Sequence, residues 1–107
     1  MSDTDLASIA ETRRLIERAS AAQARLIEFE QADVDRVCAA MAEEGFRAAA
    51  ALARQAVDET GIGRYEDKII KNEFATRTVW EAIREMRTVG FIHDDQVNRV
   101  YEVAVPV

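Results

Sequence analysis

The run Glu59-Thr60-Gly61-Ile62-Gly63-Arg64-Tyr65-Glu66-Asp67-Lys68-Ile69-Ile70-Lys71-Asn72 divides this 107-residue chain. Upstream of it, the sequence reads as alanine-rich helix. Downstream come one more helical run and then the strand-like segments. Two glycines one residue apart stop a helix and let the chain reverse, because glycine adopts the left-handed backbone that ends helices. Glu66 and Asp67 suit the first turn of a new helix, where unpaired N–H groups favour negative charge. Lys68 and Lys71 lie three apart and share a face of that helix.

Working outward, the first helix is expected from about Thr4 to Glu28. Its apolar stripe is Leu15, Ala19, Ala22, Leu26 and Phe29, widened by Ile9 and Ile16. Arginines and glutamates cover the other side, which describes an ordinary amphipathic helix. Both signs of charge on the polar face argue against a membrane-surface role. After a break at Glu30–Ala32, a second helix starts near Asp33 with Val34, Val37, Cys38 and Met41 on its buried side. Gly45 predicts a bend near Glu44-Gly45 and a third helix over residues 46–58, with Leu52, Ala56 and Val57 facing inward and Phe46 and Ala49 assisting. The alternative is a continuous helix through Gly45, at about 1 kcal/mol relative to alanine.

Beyond the glycine turn, a helix is expected from about Tyr65 to Glu85. Ile69, Phe74, Val79, Trp80 and Ile83 do not fit one narrow stripe, so this helix asks for cover on more than one side. A hairpin closes the chain, with strands at residues 88–93 and 97–105 and a turn at Asp94-Asp95-Gln96. Pro106 lacks a ladder donor and suits a strand end. Apolar residues fall on both faces of the second strand, and an isolated hairpin is marginal. The fold class is mainly α with a C-terminal β-hairpin, in a body that does not complete its own core. Such a body should expose a large apolar patch and self-associate.

Composition narrows the function. The formal net charge is −6, and no basic patch of the kind that holds a phosphate backbone is present, so no nucleic-acid partner is expected. No apolar run approaches a membrane span. The first residues are acidic, unlike a secretory signal, and the cytoplasm is the default compartment. One cysteine can form neither an internal disulfide nor a four-thiolate zinc site.

The titratable groups are read individually. Cys38, flanked by apolar residues and facing the core, is expected to be an inert structural residue. His93 beside Asp94 and Asp95 reads as a solvated turn. Glu43-Glu44 and Glu66-Asp67 read as helix surface and helix start, not as acid–base pairs. Gly61-Ile62-Gly63 lacks the third glycine of a dinucleotide fingerprint and follows a helix, so helix termination is the expected role. Lys68 and Lys71 are expected to form salt bridges with nearby carboxylates. No residue is assigned a catalytic, cofactor-binding or metal-binding role.

Glu59-Thr60-Gly61-Ile62-Gly63, with Glu66-Asp67-Lys68 and Lys71-Asn72, resembles the N-terminal region of the aldehyde dehydrogenase superfamily, in particular its CoA-acylating branch, which includes acetaldehyde and sulfoacetaldehyde types. The resemblance extends upstream through Ala22-Gln23, Phe29, Gln31, Val34-Asp35, Leu52-Ala53 and Ala56-Val57, and downstream to Val105-Pro106. It implies that residues 1–107 are the N-terminal helical segment and first β-hairpin of an NAD-binding domain in an α/β aldehyde dehydrogenase-like fold, an incomplete domain.

The parent would oxidise an aldehyde with NAD or NADP through a cysteine thiolate and pass the acyl group to coenzyme A. It would be a homo-oligomer, with the remainder of the enzyme as this segment's partner. The nucleophile and the cofactor contacts of that family belong to later segments, so the segment alone is expected to be inactive and to bind no cofactor. The shared pattern begins too near Met1 to leave room for the shell-packing tag of some relatives. The alternative is a stand-alone helical interaction or oligomerisation module without catalysis. A reading frame ending at Val107 favours the module. One continuing into a β–α unit and a later cysteine favours the enzyme.

Overall fold

The computed structural model describes residues 1–105; Pro106 and its expected role as strand terminator lie outside the described residues. The elements run α1 (Asp3–Leu26), α2 (Gln31–Arg47), α3 (Ala49–Thr60), α4 (Tyr65–Glu73), a π-helical turn (Phe74–Thr78), α5 (Val79–Ile83), β1 (Gly90–Asp95) and β2 (Val100–Ala104). The fold is mainly α-helical with a small C-terminal antiparallel hairpin, as the sequence pattern leads one to expect. The chain divides into two compact units. One contains residues 1–31 and those from 88 onward, the other residues 32–87.

In the first unit, α1 begins at a capping box. The Ser2 hydroxyl accepts from the Asp5 amide, and the Asp5 carboxylate accepts from the Ser2 amide at 2.8 Å. Two orphan donors of the first turn are thereby satisfied. The expected stripe is uncovered: no residue of α1 is buried, and of the stripe only Leu26 and Phe29 are even half-buried. Gln31 ties this unit together. Its carboxamide oxygen accepts from the amides of Thr88 (2.8 Å) and Val89 (3.1 Å), and its Nε2 donates to the Thr88 hydroxyl.

The hairpin corrects the expected strand bounds. Residues 94 and 95 belong to β1, and β2 starts at Val100 rather than at residue 97. The cause is Asp95. One of its carboxylate oxygens accepts from the amides of Val97 and Asn98, both at 3.0 Å, and the other from the Asn98 side chain at 2.7 Å. This Asx turn removes those amides from the ladder. Arg99 then takes a left-handed φ of 55°, and pairing begins after it. The register also shifts between Phe91 and His93, leaving Ile92 as an extra residue that breaks strict alternation. Phe91 and Tyr101 meet edge to face with ring centroids 6.2 Å apart.

In the second unit, α2 runs straight through Gly45 and ends at Arg47, so the expected bend at Gly45 is corrected. The break falls at Ala48, whose φ of −87° and ψ of 1° lie in the bridge region. Gly45 serves close approach: a Cβ there would lie 2.7 Å from the Thr76 methyl. The turn after α3 matches its expectation. Gly61 adopts φ 65° and its N–H bonds the Val57 carbonyl, the αL helix stop.

The buried centre of the described residues is two alanines, Ala49 at 2% exposure and Ala53 at 0%, where α3 lies against α4. Alanine permits that close packing but buries little area. Leu52, expected to face inward, is exposed, while Ala56 and Val57 are half-buried. Val37 and Met41, expected on the buried side of α2, are exposed as well, Met41 at 68%. The helix after the glycine turn is interrupted by the π turn and leaves Phe74 59% exposed and Ile83 45% exposed.

Candidate functional site

In the second unit, α2 and the π turn with α5 border an open groove of about 290 Å³. Its walls include Cys38, Met41 and Ala42 on one side and Thr76, Trp80 and Ile83 on the other. The surface is almost entirely apolar. Arg77 crosses beside it with its guanidinium carbon 3.3 Å above the Phe46 ring, a cation–π contact that holds α2 to the π turn. Arg54 caps the Tyr65 ring in the same way at 3.8 Å, joining α3 to α4. The Asn72 carboxamide donates to the Ala49 carbonyl at 3.0 Å and ties α4 to the first turn of α3.

Cys38 lines this groove half-buried, not enclosed in a core as expected, because the groove it shares with Met41 is open to solvent. His93 is on β1, exposed and paired across the hairpin with Glu102; it lies in the strand as expected, but not at its end, because the strand continues through Asp95 and the turn comes later. Asp94 and Asp95 follow in the strand, and the hydrogen bonds that Asp95 receives, from Asn98 foremost, hold its carboxyl below the usual range. Among the described residues, no group of three or more His, Cys, Asp or Glu side chains converges as a metal site would require.

Glu43 and Glu44 both pair with Arg47, at 3.1 and 2.6 Å, on the exposed surface. Glu66 and Asp67 sit in the first turn of α4, Asp67 facing Arg64 at 3.7 Å. The expected salt bridges of Lys68 and Lys71 do not form: among the described residues neither lysine has a carboxylate within 4.0 Å. The Lys68 stem instead folds back over Gly63, where a Cβ would lie 2.7 Å from its Cε. The Gly61–Gly63 turn does not have the strand-to-helix setting of a dinucleotide fingerprint. It joins helix to helix, and the Gly61 N–H is taken by Val57.

The contacts that sequence reasoning missed are those of Asn72, Gly45 with Thr76, and Gln31. Asn72 and Gln31 belong to the quoted resemblance pattern, but a pattern does not say what a carboxamide bonds. The Ser2-x-x-Asp5 signature was readable as a cap. No helix among the described residues is long and apolar enough to cross a membrane.

This order of helices, glycine turn, long helix and hairpin is that of the front of an aldehyde dehydrogenase. The structure superposes on an acetylating aldehyde dehydrogenase from Geobacillus thermoglucosidasius with a TM-score of 0.80 and 43% identity, covering 96% of this chain and 23% of that one. A bifunctional aldehyde-alcohol dehydrogenase from Escherichia coli is 35% identical over 100 residues, 94% of this chain and 11% of that protein. An acetylating succinate-semialdehyde dehydrogenase from Clostridium kluyveri is 34% identical over 94 residues, 88% of this chain and 21% of that protein. No protein-family model matches. The chain is homologous to the N-terminal portion of the CoA-acylating aldehyde dehydrogenases. It spans between about a tenth and a quarter of the length of these relatives.

Proposed function

We propose that this chain is the N-terminal helical segment and first hairpin of the NAD-binding domain of an NAD(P)-dependent, CoA-acylating aldehyde dehydrogenase. Its role there is structural, as an incomplete domain whose partner is the remainder of the enzyme. That enzyme converts an aldehyde, coenzyme A and NAD or NADP to an acyl-CoA and the reduced nicotinamide, and works as a cytoplasmic homo-oligomer. This segment contributes no catalytic, metal-binding or cofactor-binding residue. One observation carries the reading: identity of 43% across 96% of the chain with an acetylating enzyme. The exposed groove and the two-alanine centre support it, since both leave apolar surface for further chain to cover.

The purified 107-residue chain, incubated with acetaldehyde, coenzyme A and NAD, is expected to form no NADH and to show no NAD binding by calorimetry. Aldehyde-dependent NADH formation by the chain would overturn the structural assignment.

A further inference from the structure

The helix that starts at Tyr65 and ends at Ile83 is α at both ends and π in the middle. The Val79 N–H is shared between the Phe74 carbonyl, five residues back, and that of Thr76, three back, where an α-helix would use that of Ala75. A π turn holds one extra residue, so it offsets everything downstream by one position, roughly 100° of rotation. Such turns are rare and need outside support.

Here the support is visible. The Thr76 methyl occupies the space that Gly45 leaves on α2. The Thr76 hydroxyl donates back to the carbonyls of Asn72 (2.8 Å) and Glu73 (3.2 Å). Asn72 in turn is fixed to the Ala49 carbonyl.

The offset decides which side chains meet α2. Asn72, Thr76 and Trp80 are spaced by four and all half-buried. In an α-helix each four-residue step overshoots a full turn by about 40°, so Trp80 would lie about 80° from Asn72. The widened turn takes up that drift and brings the three into line. Without the extra residue, the positions of Trp80 and Ile83 would pass to Val79 and Ala82, and the groove wall would lose its indole.

We propose that the Phe74–Thr78 turn is a register device. Thr76 seated against Gly45 holds the extra residue in the helix and sets Trp80 and Ile83 as the groove wall. Lifting Thr76 from Gly45 rewinds the turn to α and moves Val79, which already borders the groove, into the place of Trp80 and Ala82 into that of Ile83. The device does not depend on which reaction the whole protein performs.

Deleting Ala75 from the 107-residue chain tests it. The deletion removes the extra residue, so the chain is expected to fold with Trp80, its only tryptophan, still in the groove. Its emission maximum and shielding from iodide should match the unmodified chain. A red-shifted tryptophan quenched like free indole, or a chain that no longer folds, would overturn the proposal.

Couplings across hydrogen bonds give a second reading. The Val79 nitrogen should couple to the Phe74 carbonyl carbon in the unmodified chain and to that of Ala75 in Gly45→Ala. It should return to Phe74 in Gly45→Ala/Thr76→Ser, which removes the obstructing methyl. An unmodified chain coupled to Ala75, or an unchanged coupling in Gly45→Ala, contradicts the device. If Gly45→Ala does not fold, the double variant decides: folding with the Phe74 coupling supports the device, and continued failure to fold refutes it.

Discussion

Ala53, at 0% exposure, gives the sharpest test of where the second unit has its centre. Ala53→Gly removes one buried methyl, worth about 0.8 kcal/mol, and adds glycine's helix penalty of about 1 kcal/mol. The expected loss is about 2 kcal/mol. Ala51 lies in the same helix but is exposed, so Ala51→Gly should cost only the propensity term, about 1 kcal/mol. The difference isolates packing from propensity. The opposite change separates the sites further. Ala53→Leu forces three carbons against α4 and should cost about 1–3 kcal/mol, whereas Ala51→Leu should be near neutral, as both residues are good helix formers. Urea denaturation followed by far-UV circular dichroism reads all four variants. Equal losses at positions 51 and 53, or an Ala53→Leu chain as stable as the unmodified one, would show that α3 does not pack on α4 through this face.

Three further outcomes follow from the same structure. Cys38→Ser in the whole enzyme should cost a little stability, because the thiol lies half-buried on an apolar groove, and leave turnover intact; a folded variant with no turnover would contradict a structural Cys38. Asp95 is held below its ordinary value by the Asn98 bonds. Its contribution to the hairpin turn is therefore fully present above the unfolded value of about 3.9 and lost as pH falls through the lower folded value. The Val97 and Asn98 amide shifts should titrate with a midpoint below about 3.9, and a midpoint at or above it refutes the turn. The isolated chain should self-associate in sedimentation runs and protect its hairpin amides weakly, whereas a monodisperse monomer with strong protection across residues 100–104 would show that the exposed apolar surface needs no cover.

The glycine turn, the helices on either side of it and the terminal hairpin were legible because backbone chemistry fixes them locally: Gly61 has to be left-handed, and alanine-rich periodic runs wind as helix. What the sequence concealed depends on partners distant along the chain. Gly45 looks like a helix breaker until Thr76 is seen against it. The π turn has no composition of its own, since its spacing only makes sense once α2 is in place. Asp95 reads as a loop residue, yet it ends one strand and delays the next by holding two amides. Burial was over-read at Val37, Met41 and Leu52, whose apolar character implied a core that this length of chain does not supply. The site was the least legible part. Periodicity placed Cys38 on an inner face, but the groove that leaves it half-open is set by two other elements.

The most direct measurement is a replacement. In the acetylating Geobacillus enzyme, the segment that this chain matches, 23% of that protein, is exchanged for residues 1–107, and acyl-CoA formation from aldehyde, coenzyme A and NAD is followed. A folded chimera that still forms acyl-CoA is the predicted result. A folded, oligomeric chimera with no aldehyde-dependent NADH or acyl-CoA would contradict the assignment of this chain as that family's N-terminal segment.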